Sequence, residues 1–262
     1  MTTTTKNNTD LKNIVISHIL TSLNISRNAT LYIQENEVLS IKGLAKSHTA
    51  ITNTNHAMRA AHILKDMLSG NIEADPSHMN YCSINGFFTA LVRELNSLFA
   101  SGSDISFIFN SKLAANRTFY IDINKMEAVL FALIHCLVKN SDETDKREIK
   151  ISIDEKSDRS KRYNITISSR GKTLESRLSG IFSKKSTFTP DFYDLDALSL
   201  LNARENAKLL SGTISYSGTK TMNKFLFTVP YISEFDTEYH EIIKYNPDTC
   251  LMKAYFYEFL IG

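Results

Sequence analysis

The sequence predicts an α+β chain: an N-terminal helical hairpin followed by an α/β sandwich. Three observations carry this. Residues 10–72 have a helical character, with neither strand alternation nor proline. Asp75-Pro76 then breaks the pattern. Beyond it, alternating strings such as ISFIF (Ile105–Phe109) and FLFTV (Phe225–Val229) are interleaved with apolar helical runs, which suits a mixed sheet under a layer of helices.

The first helix is expected from Asp10, a good N-cap, to about Gln34, with residues 1–9 as a polar, disordered leader. A looser stretch, residues 35–55, holds His48 and connects to a second helix that opens at His56. In that helix Met58, Ala61, Ile63, Leu64, Met67 and Leu68 fall near helical spacing, and Gly70 ends it. Two such helices bury little alone, so residues 10–75 are expected to pair with a second copy.

The next unit is expected over residues 80–232. It begins with a helix (Ile84–Phe99) and strands at Ile105–Phe109 and Thr118–Ile121. An amphipathic helix is entered at Asp122, and strands follow at Ile149–Ile153 and Asn164–Ile167. A helix at Ala197–Leu210 and strands at Thr213–Tyr216 and Phe225–Val229 complete it. The tail, residues 233–262, ends in CLMKAYFYEFLIG, dense in aromatics and without turn signals. It reads either as a terminal element packed on the domain or as an exposed apolar patch for a partner.

Composition narrows the function. A net charge of +2 over 262 residues gives no electrostatic reason to expect nucleic acid. No run approaches the ~18 apolar residues of a membrane span, and the opening residues lack the apolar core of a signal peptide. Cys82, Cys136 and Cys250 have no metal-ligand spacing and read as reduced thiols, as expected in the cytoplasm. No metal site is expected.

Several strings, taken in order, resemble the core of a sensor histidine kinase, a dimerisation hairpin followed by a GHKL-type ATPase domain. NYCSINGFFTALVRELNSLFA is similar to the helix that opens the ATPase domain. SDISFIFNSKLAANRTFYIDINKMEAVLFALIHCLVKN is similar to the two strands and N-box helix after it, and LSGTISYSGTKTMNKFLFTVPY to the terminal hairpin. The resemblance covers residues 10–232.

It implies a nucleotide site in which this chain departs from the family at each motif. The N-box position that supplies an Asn to magnesium falls on Cys136, and the basic position on Lys139. A neutral thiol is a poor ligand for a hard cation, so Cys136 reads as a packed helix residue. Asn140 is a candidate replacement one full turn further along. The adenine-binding Asp and its x-Gly-x-Gly correspond to Ser169, Gly171 and Thr173. A serine hydroxyl loses the charge-assisted bond, and a threonine obstructs close backbone approach. The phosphate-loop Gly-x-Gly-Leu is replaced by ALSL, with Ala197 and Ser199 at the glycines. The lid carries Asp191, Asp194 and Asp196, which repel a triphosphate unless magnesium intervenes, against Lys184 and Lys185.

The phosphoacceptor of the family falls on His18, although Ile19 replaces the acidic residue after it and the proline is missing. The resemblance therefore implies a degenerate histidine-kinase-like protein, a phosphotransferase or pseudokinase that binds a response-regulator receiver domain and needs no cofactor. Two alternatives stand beside it. One is an ATP- and magnesium-dependent kinase that autophosphorylates on His18. The other is a non-enzymatic dimeric interaction module.

Overall fold

A computed structural model describes residues 2–69, 79–100, 103–142, 146–155, 162–183, 194–230 and 242–260, with side chains from 16 to 68 in the first stretch. The chain forms two compact units. One comprises Met1–Ile72 and Thr249–Gly262; the other is Glu73–Asp248.

The helical unit contains α1 (Thr2–Asn36) and α2 (Ile41–Ser69). α1 begins ahead of Asp10, which is therefore inside the helix rather than at its cap. α2 begins well before His56. Ser40 Oγ accepts from Gly43 N–H (3.1 Å) at its start, and no breaker interrupts the run that follows. His48 thus lies within α2, not in a connection, and His56 is interior. Gly70 lies outside the described residues. Ile16, Ile51, Met58 and Ile63 are buried in this unit.

The tail supplies the third helix of this unit, α7 (Thr249–Phe256), followed by a 3-10 turn at Tyr257–Phe259. Leu251, Met252, Ala254, Tyr255 and Phe256 are all buried, which overturns the exposed-patch reading. α7 packs on α2, where the Arg59 guanidinium lies 5.5 Å from the Tyr255 ring centroid.

The second unit is the α/β sandwich. Its strands and helices run β1 (Met79–Ser83), α3 (Ile84–Phe99), β2 (Ile105–Ser111), β3 (Thr118–Asp122), α4 (Ile123–Lys139), β4 (Arg147–Glu155) and β5 (Arg162–Arg170). These are followed by α5 (Ser176–Gly180), α6 (Leu195–Leu209), β6 (Thr213–Gly218), β7 (Met222–Pro230) and β8 (Ile242–Ile243). The main sheet has the order β2-β4-β5-β7-β6; β2 and β4 are parallel and the other pairs antiparallel. A second sheet, β3-β1-β8, pairs β1 antiparallel with β3 and parallel with β8. The sandwich extends past residue 232, because β8 and the residues up to Asp248 belong to it.

Alternation in β4, β5 and β7 sends Ile149, Ile151, Ile153, Ile165, Ile167, Phe225, Phe227 and Val229 to one face, all buried. Helices α3, α4 and α6 cover that face. α4 is entered through Asp122, whose Oδ1 accepts from Lys125 N–H (3.2 Å). Its apolar run was expected to show one solvent-facing side, yet every residue from Met126 to Val138 is buried. The sheet, α6 and the segment around Tyr245 surround it, so its two polar residues, Glu127 and His135, are core residues.

Candidate functional site

The residues matched to the nucleotide motifs gather at the C-terminal end of α4, where the ends of β5 and β7, the α5 segment and the start of α6 meet. Cys136, Lys139, Asn140, Glu175, Arg177, Leu178, Asp194 and Asp196 line a cavity of about 160 Å³. Ser169 lies outside it, lining a separate cavity of about 330 Å³ with Ser168, Arg170 and Met222. The volume of the first cavity is below the roughly 300–1,000 Å³ of ordinary small-molecule sites.

Its cations face the chain's own carboxylates. Lys139 Nζ lies 2.5 Å from Asp196 Oδ2, and the imidazole of His135 approaches the other oxygen of the same carboxylate at 3.8 Å. Arg177 is paired with Asp194. Asp194 is also the N-cap of α6, its Oδ1 accepting from Ala197 N–H at 3.0 Å. A carboxylate on the first free amides of a helix occupies the place where that helix would receive an anion. Ala197 is fully buried, and Ser199 Oγ donates to Leu195 O (2.7 Å), so both pack within α6.

Cys136 is buried, as its place on a packed helix predicts. Burial pushes its thiol up to about 12; Asp196 raises it further and Lys139 opposes this. It is a neutral S–H at physiological pH, neither a nucleophile nor a ligand for a hard cation. Asn140 turns back on the helix end, its Nδ2 donating to Cys136 O (2.8 Å). Among the described residues no cluster of histidine, cysteine and carboxylate side chains could hold a metal ion.

At the adenine position, Ser169 is buried and its Oγ has no hydrogen-bond partner among the described residues. Its cross-strand neighbour is Asn223, which is fully buried. Tyr216 OH donates to Asn223 Oδ1 (2.6 Å) and accepts from Leu174 N–H (3.0 Å), while Asn223 Nδ2 donates to Lys172 O (2.8 Å). Burial raises the Tyr216 phenol; the Leu174 bond lowers it, and the nearby Cys136 adds to the increase. Tyr216 thus reaches from the edge strand towards α4 and knits three segments at this end of the sheet. Motif matching alone did not find Tyr216 or Asn223; a polar residue on the inward register of a buried strand was their signal.

Gly171 is required, but for packing. Its φ is +152°, and a Cβ there would lie 1.9 Å from Asn140 O, against which the chain bridges through Ser141. Thr173 is exposed, its Oγ1 donating to Thr219 O (2.6 Å). Lys184, Lys185 and Asp191 lie outside the described residues. His18 belongs to the helical unit, exposed on α1 beside Ile19, which is 45% exposed.

No protein-family model matches the chain, and no curated protein sequence matches it. Solved structures do. The Acinetobacter baumannii histidine kinase AdeS aligns over 82% of this chain and 98% of its own, with a TM-score of 0.53 and 15% identity. Full-length ShkA, solved in complex with AMPPNP, aligns over 86% of this chain and 46% of its own, with a TM-score of 0.59 and 14% identity. The chain therefore has the fold of a histidine-kinase core, a helical hairpin followed by a GHKL-type α/β domain. At this identity what is shared is the fold, and function has to be argued from the site.

Proposed function

We propose that this chain is a two-component signalling protein of histidine-kinase-like fold whose nucleotide cleft is closed by its own side chains. It acts in the cytoplasm through its helical unit on a response-regulator receiver domain, as a phosphotransferase or as a pseudokinase. One observation carries the reading most directly: Asp194 caps α6 and pairs with Arg177, so a carboxylate and its cation stand where phosphates would bind. The small cavity, the neutral Cys136 and the Tyr216–Asn223 bridge support it independently.

The exposed His18 is the candidate acceptor in the phosphotransferase form. An imidazole nitrogen attacks the phosphorus of a receiver aspartyl phosphate. The N–P bond forms, the acyl-phosphate P–O bond breaks, the aspartate leaves as carboxylate and the ring proton passes to water. The charge on the phosphoryl oxygens is met by the magnesium that the receiver carries, so no nucleotide is required of this chain. The helical unit also exposes Ile19, Ile25, Tyr32 and Ile33 on α1 and Leu64 and Met67 on α2, which favours pairing with a second copy.

A second reading keeps ATP. ShkA was solved with AMPPNP, and Lys139 retains a cation at the family's basic position. On this reading the carboxylates give way to magnesium and His18 is autophosphorylated. The deciding experiment incubates the chain with a receiver domain radiolabelled on its aspartate, in the absence of ATP. Label moving to the protein and vanishing in His18→Ala establishes phosphotransfer. Stable binding of the receiver without label on His18 identifies the pseudokinase. Neither binding nor label contradicts the proposal.

A further inference from the structure

Within the sandwich, a cavity of about 510 Å³ lies between the first half of α3 and the β1–β8 pair. None of the residues matched to the nucleotide motifs lines it. Its size falls within the roughly 300–1,000 Å³ of ordinary small-molecule sites. Gly86, Ala90 and Arg93 recur at i, i+4 and i+7 on one face of α3, and the two small residues leave the hollow. The opposite wall is apolar and held in place. β8 adds to β1, setting Ile243 beside Cys82, and both line the cavity. Tyr245, 5% exposed, stacks on Phe87 with ring centroids 3.9 Å apart. Its hydroxyl donates to Glu127 Oε1 at 2.6 Å, and Asp248 N–H donates to the same oxygen at 2.9 Å. A wall fixed in this way costs a ligand little ordering.

The rim is basic. Arg93 and Lys244 line the cavity, and no acidic residue does. Lys244 is exposed and has no ion-pair partner among the described residues. Arg93 Nε and Nη2 both donate to Glu94 Oε1, at 3.1 and 2.9 Å, and Nη1 has no partner among the described residues. That contact joins neighbouring side chains on an exposed helix face, where ion pairs are weak and readily exchanged. Cys82 adds no charge: burial pushes its thiol up to about 11, and a hydrogen bond from the Tyr245 backbone opposes this. The cavity therefore offers an apolar wall with cations at one edge.

We propose that this cavity binds a small apolar carboxylic acid, its hydrocarbon against Ala90, Ile243 and Tyr245 and its carboxylate held by Arg93 and Lys244. The site is independent of the function proposed above and stands or falls without it. An inorganic anion would use the cations but gain nothing from the wall, whereas an aryl or alkyl acid uses both. A peptide strand fits less well, because β8 is two residues long and offers too few backbone groups for an added strand.

The probe is indole-3-acetate, an apolar bicycle with one carboxylate, and the uncharged indole-3-acetamide of the same shape is its control. Methyl NMR spectra of the full chain, labelled at Ala and Ile methyl groups, report binding at the site itself. Saturable shifts at Ala90, Ile242 and Ile243 are expected with the acid, and the amide should bind about tenfold more weakly, as loss of a charge-assisted contact implies. Arg93→Gln combined with Lys244→Gln, both on exposed positions, should weaken the acid by a similar factor and leave the amide unchanged. Ala90→Phe, which fills the hollow, should abolish both; if that variant does not fold, the double variant decides. The proposal is overturned if these methyls stay still at millimolar acid, if acid and amide bind equally, or if the double variant binds like the parent. Shifts confined to the exposed Ile19, Ile25 and Ile33 of the helical unit overturn it as well.

Discussion

Burial sets the chemistry of the individual residues in this chain more than their type does. Glu127 is the clearest case. Removal from water pushes its carboxyl up from 4.5 to about 7; the bonds from Tyr245 and Asp248 hold it down, and the Asp248 carboxylate raises it. The folded chain therefore binds a proton at this residue over a range in which the unfolded chain has lost it. Stability from this group is fully present below about pH 4.5 and is lost as pH rises towards 7. Glu127→Gln is expected to flatten the pH dependence of urea unfolding in that window. An unchanged slope in Glu127→Gln contradicts the assignment. Cys136 follows the same logic. The sequence identified it as a packed residue, but could not say that Asp196 and Lys139 would meet beside it, because that pairing depends on how α6 lies against α4.

Among the elements, those with strong periodicity were legible and those defined by tertiary partners were not. β4, β5 and β7 were visible as alternating strings, and α3 and α4 as capped apolar runs. β1 and β8 were missed as elements, and α7 was legible only as a packed terminal element, helix or strand. β1 and β8 are short and pair only with strands or segments distant in sequence, and α7 is stabilised by the hairpin it packs on. The start of α2 was misplaced because Thr, Asn and His dilute its helical pattern, whereas packing against α1 enforces the helix. Even with α7 in place, the hairpin helices leave Ile25 64%, Tyr32 65% and Met67 50% exposed. We expect a dimer formed through these faces. Ile25→Asp combined with Ile33→Asp should give a folded monomer in sedimentation equilibrium at concentrations where the parent is dimeric. A parent that stays monomeric at high concentration contradicts this.

For the whole molecule, a kinase-core fold is kept while the cations matched to its nucleotide motifs, Lys139 and Arg177, are paired with Asp196 and Asp194 of the same chain. The order of hairpin, sandwich and terminal strand pair was readable from the sequence. The extension beyond residue 232 was not, because its role depends on partners at Glu127 and on α2 that lie far from it in the chain. Among the described residues no helix is long and apolar enough to cross a membrane. The cleft residues act together: Asp194 and Asp196 neutralise Arg177 and Lys139, Tyr216 ties the edge strand to Leu174 and Asn223, and Asn140 folds onto the helix end. The most direct test is titration calorimetry with ATP and magnesium on the intact chain, supported by its melting temperature in millimolar nucleotide. The account predicts no heat of binding and no shift in melting temperature. Saturable binding, with the stabilisation of about 2.7 kcal/mol expected at a hundredfold excess over Kd, would contradict it.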